Sequence, residues 1–426
     1  MKSPLIWVMH GHMPWVKGGQ GEERWLWEAI AECYWPLLRV LDNAPAATHL
    51  CVSISPPLLR QWGSIDDGLI AGFGRLAETG KVTLFTTAAT HGYLPLLHGL
   101  PGAVDLQLEA ARDIFERCFG RLPQGLWLPE CGYQAGLDAD IAAHGFRFAF
   151  VEDHAFIGAK PELTKGIRAP ARTPAGLTLF PRDSAVCARV WSREHGYPAH
   201  ADYLDFYKRR NGQRWARVGG GEWNGAVARE RARLDAVDFV KRLEADCRQA
   251  PGLRVLAFDM ELFGHWWFEG PCFVAEVLKQ VAQSREVEWC APADFDAAAL
   301  EMATLTLSSW GRGGYSEVWM NERNAWLWPP LTRVTEKLDA VLRSDMARTP
   351  LEDRGLRQAQ AQVLLAQASD WPFLLDAQTS VDVATRRLRT HLEQAEQLLN
   401  QLATRSVDAS LVAALEARDP LLSQLS

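Results

Sequence analysis

The sequence predicts an α/β protein: a (β/α)7 barrel with a small inserted subdomain, followed by a C-terminal helical bundle. Three observations predict it. Short apolar runs alternate with longer helical patterns up to about residue 152 and again after 235, which indicates parallel strands joined by crossover helices. The segment 160–234 is rich in Pro, Gly and Arg and has weak periodicity. After about residue 305 the strand patterns largely stop, and helical periodicity continues.

The predicted barrel consists of short apolar runs separated by segments of helical periodicity. Strands are predicted at 5–9, 48–54, 82–87, 125–129, 146–152, 254–260 and 287–292. Helices are predicted at 22–42, 57–79, 105–119, 134–144, 235–249 and 271–284. We therefore assign residues 1–305 to the barrel, interrupted by 160–234 as an inserted loop or helical subdomain.

The C-terminal part, residues 306–426, carries Leu and Ala at helical spacing, with Gln and charged residues on the other faces. The periodicity predicts helices at 323–343, 351–369, 376–403 and 407–424. Several amphipathic helices in succession are typical of a helical bundle, so we predict a separate helical domain here.

Length, composition and charge exclude several classes of protein. The 426 residues are 48% hydrophobic and 23% charged, which argues against a disordered or fibrous chain. The formal net charge of −7 offers no basic field for a polyphosphate backbone, so we expect no nucleic-acid partner. No stretch approaches about 18 uninterrupted apolar residues, so we expect no membrane span.

The cysteines and the N-terminus bear on the compartment. Eight cysteines are scattered without a C-x-x-C pair, which favours reduced thiols over a disulfide framework or a thiolate zinc site. The first apolar run is broken by Pro4 and ends at His10 without a small-residue cleavage site, so it reads as a strand and not as a signal peptide. We therefore expect a cytoplasmic protein.

Polar side chains follow several of the predicted strands at the point where each strand ends. In parallel α/β architectures functional groups gather at these carboxyl ends. The residues are His10 and His12, His91, Glu130, Glu152, Asp153 and His154, and Asp259 and Glu261. Their common position at one end of the sheet predicts a single polar site.

Glu130 and Asp259 are the carboxylates best placed for chemistry. Each follows an apolar strand, so burial should raise its pKa. Two such groups facing one cleft suit glycosidic bond chemistry, and the 18 Trp residues offer flat faces for sugar rings. Retention of configuration requires the two carboxyl groups to lie ~5–5.5 Å apart, whereas ~6.5–9.5 Å would suit inversion. Glu261 shares a strand face with Asp259, which makes it a rival for the acid role or a supporting partner.

Two other functions are compatible with these residues. The H-x-H pair, His10 and His12, with a strand-end Asp can ligate a divalent metal, as in sugar deacetylases built on a similar barrel. That hypothesis leaves Glu130 without a role, and we predict neither a metal nor a cofactor. A glucan-binding protein with a disabled barrel is the non-enzymatic alternative, but both carboxylates are present. Structural roles also compete: a lone strand-end His is more often structural, and most Trp residues belong to the core.

Five ordered motifs make a family resemblance specific. The chain resembles glycoside hydrolase family 57, and within it the branching-enzyme type, in HGHMPW (10–15), TTAATHGYLPLL (86–97), GLWLPECGY (125–133), FDMELFGHWWFEGP (258–271) and SSWGRGGYSEVWMNERNAWLW (308–328). The resemblance covers roughly the first 330 residues. It implies a retaining enzyme that acts on α-1,4-glucans such as amylose, glycogen and maltooligosaccharides, and above all one that forms α-1,6 branches.

The resemblance also implies roles for individual residues. Glu130 holds the position of the nucleophile, and Asp259, the first acidic residue of D-x-E-x-F-G-H, that of the general acid/base. Residues implied to contact substrate or to line the cleft are His10, His12, Trp25, His91, Arg182, Asp183, Tyr197, Glu261, His265, Trp310 and Trp319. Tyr197 resembles a loop tyrosine that shields the site from water.

The chain departs from the family pattern after DYLDFYKRR (202–210), where branching enzymes continue with a longer insert on the acceptor side. Cleavage needs only the donor half of a site, whereas transfer to a 6-hydroxyl needs an ordered acceptor groove and exclusion of water. Hydrolysis, as in an amylase, and 4-α-glucanotransfer therefore remain alternatives to branching.

Overall fold

A curled β-sheet forms the centre of the computed structural model, which describes residues 2–16, 23–192, 194–345 and 347–422. Met1 and 423–426, at the ends of the predicted domains, and residue 22, at the start of a predicted helix, lie outside these ranges. In chain order the strands are β1 (Ser3–Gly11), β2 (Leu50–Ile54), β3 (Val82–Thr87), β4 (Gly125–Trp127), β5 (Phe148–Glu152), β6 (Ala171–Arg172), β7 (Thr178–Arg182), β8 (Arg209–Arg210), β9 (Gln213–Arg214), β10 (Arg254–Asp259) and β11 (Val287–Trp289).

Seven of these strands run parallel in the order β10-β1-β2-β3-β4-β5-β7. The two outer strands, β7 and β10, approach each other, since the backbone N–H of Asp183 donates to the carbonyl of Val255 at 2.8 Å. This closure makes a seven-stranded barrel and confirms the predicted fold class. The remaining strands are short: β6 pairs antiparallel with β7, β8 and β9 form a hairpin, and β11 pairs with the first residues of β1.

The segment 160–234 differs from the prediction because it contains a barrel strand. We predicted an inserted subdomain here, but β7 pairs with β5 along its whole length. The five residues of β7, TLFPR, include Pro181 and Arg182, which interrupt the apolar run that a sequence pattern needs. Conversely, the predicted strand at 287–292 contributes only β11, which lies beside β1 outside the set of seven.

Helices cover the outside of the barrel between successive strands, as the alternating pattern predicts. Their bounds are α1 (Glu23–Ala29), α2 (Trp35–Asp42), α3 (Pro56–Ile65), α4 (Gly68–Glu78), α5 (Leu94–Leu97), α6 (Ala103–Phe119), α7 (Leu137–Ala143), α8 (His154–Ile157), α9 (Ser184–Trp191), α10 (Gly225–Gln249) and α11 (Gly270–Gln283). A π-helical turn, Ile30–Tyr34, joins α1 to α2.

Strand alternation determines which residues reach the mouth of the barrel. Apolar side chains from all seven strands meet in one interior cluster: Ile6, Val8, Cys51, Phe85, Trp127, Phe150, Phe180, Val255 and Ala257. Successive side chains on a strand point to opposite faces, so residues two positions further along also point inward. At the carboxyl ends these are His10, Ser53, Glu152, Arg182 and Asp259. The register places His10 beside both Ser53 and Asp259, and Glu152 beside Arg182.

The C-terminal helices pack directly on the barrel. They are α12 (Trp328–Leu342), α13 (Pro350–Ala366), α14 (Asp370–Ala377), α15 (Val381–Ala403) and α16 (Ala409–Arg418). One hydrophobic core contains Ile114 of α6 together with Leu364 of α13 and Leu398 of α15. A backbone hydrogen bond continues this contact, because Ser369 N donates to the His91 carbonyl at 3.1 Å. The turn between α13 and α14 is thereby fixed at the barrel mouth.

Among the helices of the described residues, none has both the length and the sustained apolar character that crossing a membrane requires.

Candidate active site

Three histidine rings stack at the carboxyl end of the barrel. Nε2 of His10 lies 2.9 Å from Nε2 of His91, and the rings of His12 and His91 stack with their centroids 4.2 Å apart. Serines of β2 and the following turn hold the outer rings, since Ser53 Oγ lies 3.2 Å from His10 Nδ1 and Ser55 Oγ lies 2.9 Å from His12 Nδ1. His91 has a φ of 57°, a left-handed conformation that a non-glycine residue keeps only where its surroundings hold it.

The three rings differ in their preferred charge. Burial lowers the pKa of His10 and of His91 well below the usual value for histidine, and the neighbouring His12 lowers both further. Burial also opposes the charged form of His12, but the carboxylates of Asp370, Glu261 and Glu130 raise its pKa. Nε2 of His12 is 3.0 Å from Asp370 Oδ2. The stack therefore holds one outer ring, His12, that favours the imidazolium, and two rings, His91 and His10, that favour the neutral form.

Glu130 projects into the site from the tight turn after β4. Its φ is 62°, so the backbone bends sharply and turns the side chain toward the barrel mouth. The indole N–H of Trp310 donates to Oε2 and the hydroxyl of Ser369 donates to Oε1, each at 2.8 Å. Burial raises the pKa of Glu130, while the two donors oppose that rise by stabilising the carboxylate. Nδ1 of His91 is 3.6 Å from Oε1.

Asp259, at the end of β10, has different surroundings. Within 2–16, 23–192, 194–345 and 347–422, no residue forms a hydrogen bond to its carboxyl group. Burial raises the pKa of Asp259 well above the usual value for aspartate, and the charges of Glu261 and Glu130 raise it further. Glu130 thus has two hydrogen-bond donors that favour its ionised form. The surroundings of Asp259 favour its protonated form.

These shifts predict that Glu130→Gln and Asp259→Asn each raise the melting temperature at pH 7. A carboxyl whose pKa is raised by folding binds its proton more tightly in the native state, so its contribution to stability falls as the pH rises above the unfolded value of about 4. An amide removes that penalty. Calorimetry at pH 4 and pH 7 should show a larger gain at pH 7.

Glu352→Gln provides a control of opposite sign. Hydrogen bonding to Arg405 and to the Thr349 backbone lowers the pKa of Glu352 to about 2, so its ionised form stabilises the native state above the unfolded pKa. The melting temperature of this variant should fall below that of the wild type by more at pH 7 than at pH 4. Equal melting temperatures of the two site variants and the wild type at both pH values would contradict the assigned shifts.

Glu261 supports the site and is itself engaged. Its Oε1 accepts a hydrogen bond of 2.5 Å from the Tyr34 hydroxyl and one of 3.0 Å from the backbone N–H of His12. Burial raises its pKa, and the Tyr34 hydroxyl opposes the rise. Two roles were predicted for Glu261, a rival acid and a supporting partner. Its two hydrogen bonds favour the supporting role, in which it fixes the position of His12.

Aromatic rings form one wall of the site around Trp310. Its ring lies 5.2 Å from that of Trp127 and 6.1 Å from that of Trp191, with the guanidinium of Arg182 5.7 Å from the ring. Arg182 is held by Glu152, to which it donates at 2.8 Å. Trp191 is 44% exposed, so the wall continues to the surface. Trp319 is buried and stacks on Tyr93 with the ring centroids 4.3 Å apart.

Asp183 does not face the cleft, which corrects the prediction of a substrate contact. Its carboxylate caps α9 by accepting the backbone N–H of Val186 at 3.1 Å, and it pairs with Arg168 at 2.7 Å. Only 4% of the side chain is exposed. Because strand residues alternate, Arg182 points into the barrel and the residue after it points away from the interior.

Tyr197 also lies away from the cleft, contrary to the predicted shielding role. Its hydroxyl donates to Asp238 of α10 at 2.7 Å. Its ring packs against Phe239 of α10 and Phe273 of α11, on the outside of the barrel. The hydroxyl is thus committed to a helix contact.

Two further predicted site residues, Trp25 and His265, lie on a rim formed by α1, the π-helical turn after it and the loop after β10. Trp25 lies on α1 and is 39% exposed. The buried His265 ring packs on Phe206, with the ring centroids 5.3 Å apart, and its Nδ1 is 3.7 Å from a Glu32 oxygen. The β8–β9 hairpin closes this rim, because Arg214 pairs with Glu32 and donates to the His265 carbonyl at 2.8 Å.

Two groups of side chains bring possible metal ligands close together. Within the described parts of the chain, the sets of three ligating atoms that come within 4.8 Å of one another are Glu28, Glu32 and His265, and Glu152, Asp153 and His154. Neither set contains the predicted combination of His10, His12 and a strand-end Asp. In both sets a carboxylate is already paired with an arginine, since Arg209 binds Glu28 and Arg182 binds Glu152.

Sequence reasoning missed two residues that contact the centre of the site. Ser369 and Asp370 begin α14 and reach Glu130, His91 and His12. They were assigned to a helical bundle because nothing in their local pattern separates them from other helix caps. The exposed Trp191, whose ring stacks near that of Trp310, was also not among the predicted site residues. The local sequence does not reveal these contacts, because they join residues up to 358 positions apart.

Comparisons with known proteins agree with the fold described above. Residues 6–303 match the family model described as glycosyl hydrolase family 57, and residues 330–426 match the model described as the C-terminal part of 1,4-α-glucan branching enzyme. The 1,4-α-glucan branching enzyme TK1436 of Thermococcus kodakarensis is 28% identical over an alignment of 523 positions, which covers 98% of this chain and 77% of that enzyme.

Two solved structures are similar over nearly their whole length. The GH57-type branching enzyme of Pyrococcus horikoshii superposes with a TM-score of 0.90 at 27% identity, over 99% of this chain and 95% of that one. The α-amylase AmyC of Thermotoga maritima superposes with a TM-score of 0.89 at 27% identity, over 100% of this chain and 98% of that one. Proteins with two different named activities therefore share the fold.

Proposed function

This chain belongs to glycosyl hydrolase family 57, as the match over residues 6–303 shows, and on that premise we propose that it is a 1,4-α-glucan branching enzyme. The resemblance identified from the five motifs is thereby confirmed. Its substrate would be an α-1,4-glucan, and its reaction would proceed with retention through a glycosyl-enzyme. The match of residues 330–426 to the branching-enzyme C-terminal model supports this choice within the family.

The contrast between Glu130 and Asp259 carries the proposal. A retaining mechanism needs one carboxylate as the nucleophile and one protonated carboxyl group as the acid. Glu130 accepts hydrogen bonds from Trp310 and Ser369, which stabilise a carboxylate. Burial and two neighbouring carboxylates favour the protonated form of Asp259. The two environments supply both required protonation states at one pH.

The first step would cleave the glucan. A carboxylate oxygen of Glu130 attacks the anomeric carbon while the bond from that carbon to the glycosidic oxygen breaks. Asp259 transfers its proton to that oxygen, which leaves as a free 4-hydroxyl of the released chain. The product is a glycosyl ester on Glu130 and an ionised Asp259.

The second step would transfer the bound glucan. Asp259, now a base, removes the proton of an acceptor 6-hydroxyl, whose oxygen attacks the anomeric carbon and releases Glu130 as a carboxylate. Two inversions leave the new α-1,6 bond with the original configuration. The positive charges of Arg182 and His12 near the carboxylates would offset negative charge as it develops.

Hydrolysis is the second candidate function because two observations favour it. AmyC, which is named an α-amylase, shares the fold over 98% of its length. The segment after 202–210 is short: the chain forms the β8–β9 hairpin and enters α10 at Gly225. The hairpin is nevertheless anchored, since Arg209 donates twice to Glu28 at 2.9 Å. A fixed rim of this kind supports the ordered acceptor groove that transfer requires.

Incubation with amylose, followed by proton NMR and a reducing-end assay, tests the proposal. We expect α-1,6 signals to grow with little increase in reducing ends, because each cleaved bond is replaced by a branch. New reducing ends without branch signals would establish hydrolysis. Redistributed chain lengths with neither change would establish 4-α-glucanotransfer. The Glu130→Gln variant serves as the inactive control.

A cytoplasmic location is part of the same proposal. All eight cysteines lie in the described ranges and are free thiols. Unpaired thiols are typical of a reducing compartment such as the cytosol.

A further inference from the structure

The hydroxyl of Ser369 lies between a histidine and the proposed nucleophile. Its Oγ is 2.8 Å from Glu130 Oε1 and 2.9 Å from Nδ1 of His91. Ser369 is 1% exposed and precedes α14, yet its hydroxyl makes no capping bond to that helix. The side chain of this residue is thus directed to the site and contributes nothing to the helix it begins.

The protons available in this chain of contacts fix its direction. An ionised Glu130 can only accept, so the single hydroxyl proton of Ser369 points to Glu130. Ser369 Oγ must then accept from His91, which places the proton of that neutral ring on Nδ1 and leaves its Nε2 as an acceptor.

The same reasoning extends to the far end of the chain. Nε2 of His91 lies 2.9 Å from Nε2 of His10, so His10 must carry its proton on Nε2. Nδ1 of His10 then accepts from the hydroxyl of Ser53, which is 3.2 Å away. The Ser53 hydroxyl donates, and each later member of the chain up to Ser369 donates once and accepts once. The four bonds therefore run from Ser53 to Glu130 without a conflict.

We propose that Ser369 is a positioning residue that ends a directed hydrogen-bond chain, Ser53 to His10 to His91 to Ser369, and thereby holds Glu130 ionised and correctly oriented. The proposal rests on the proposed function for the role of Glu130. It assigns to the C-terminal helical region a direct part in preparing the nucleophile. The protons of the chain stay in place during the reaction. Only the direction of the hydrogen bonds is needed to hold Glu130.

The titratable groups that face Glu130 set the pH behaviour expected of the chain. They are His12, His91, Tyr93, Cys131, Asp259 and Asp370. Loss of one of the two donors to the carboxylate should raise the pKa of Glu130, since its charged form loses a hydrogen bond. Activity that needs ionised Glu130 should then begin at a higher pH.

Nitrogen-15 NMR of histidine-labelled wild-type protein tests the chain without any substrate. At pH 7 we expect His91 as the Nδ1–H tautomer and His10 as the Nε2–H tautomer, with signals assigned through His91→Gln and His10→Gln variants. The opposite tautomer, or an imidazolium, at either position would overturn the proposal. Because no glucan is present, this result does not depend on the reaction that the protein catalyses.

The pH profile of kcat/KM provides a second test. Ser369→Ala should lower kcat/KM about tenfold to a hundredfold and move the acidic limb upward by about one pH unit. Ser369→Thr keeps a hydroxyl and should leave the limb near its wild-type position. Ser380→Ala, at the exposed start of α15, is the matched control and should not change the profile.

The outcomes separate the two hypotheses. An unshifted acidic limb in Ser369→Ala, or an equal shift in Ser369→Thr, would overturn the hydrogen-bond chain and leave the proposed function intact. A wild-type protein that acts on no α-glucan, yet shows the expected tautomers, would instead count against the proposed function.

Discussion

Glu130→Gln should reduce glucan cleavage and transfer by about 10⁴-fold or more, because the amide cannot form the glycosyl ester. Its size matches the carboxylate, so the site should still bind maltooligosaccharides. The surroundings also dictate how the amide will lie. Trp310 Nε1 can only donate, so the amide oxygen must face Trp310, while the Ser369 hydroxyl can rotate to accept from the amide nitrogen.

The measurement for this variant combines initial rates on amylose with calorimetric binding of maltoheptaose. Glu269→Gln is the matched control, because Glu269 is also buried and accepts a tryptophan N–H, from Trp223 at 2.7 Å, but it immediately precedes α11 and binds no residue of the histidine stack. It should retain nearly wild-type turnover. Substantial turnover in Glu130→Gln would remove Glu130 from the role of nucleophile.

Azide tests the role of Glu130 by the configuration of a product and not only by a reaction rate. In Glu130→Ala, azide can enter the space left by the carboxylate and attack the anomeric carbon directly, in a single inversion. The product should be a β-glycosyl azide. If Glu130 is not the nucleophile, its loss will not create this product, so the anomeric configuration decides the assignment.

The barrel could be predicted from the sequence because parallel strands buried on both faces read as short apolar runs. Functional groups gather at the carboxyl ends of parallel strands, which is why His10 and Asp259 were found in advance. β7 was missed because Pro181 and Arg182 interrupt its apolar run. Arg182 nevertheless points into the barrel, where it pairs with Glu152.

The polar partners of the site could be predicted only in part. Motif positions identified Glu130, Asp259 and the three stacked histidines, all of which the structure brings to one mouth. Ser369 and Asp370 depend on how the helical region docks on the barrel, and that docking is set by a shared apolar core with no local sequence pattern.

Two residues show the opposite error. Asp183 and Tyr197 were assigned by resemblance to motif neighbours, but each side chain is held by partners outside the cleft. Asp183 caps α9 and pairs with Arg168, and Tyr197 binds Asp238. A motif fixes the position of the backbone more closely than the direction of each side chain, so the contacts of each residue decide its role.

Asp259→Asn should lower kcat/KM on amylose by about 10²–10⁴-fold, the usual effect of losing a general acid and base. The loss should be much smaller for an aryl α-maltooligoside with a good leaving group, because cleavage of that substrate needs no proton. The second step would then become limiting, and the glycosyl-enzyme should accumulate. Asp238→Asn, on α10 beside Tyr197, is the control and should behave as the wild type.

The pH dependence of activity and the configuration of the azide product both test the role of Asp259. Its raised pKa keeps the acid protonated well above the range of an ordinary aspartate, so the wild type should lose activity on its alkaline limb as Asp259 ionises, and Asp259→Asn should lack that limb. Azide should attack the accumulated glycosyl-enzyme and give an α-glycosyl azide, the anomer opposite to that from Glu130→Ala. The same anomer from both variants would contradict the two roles, since only a nucleophile and an acid acting on opposite faces of one sugar give products of opposite configuration.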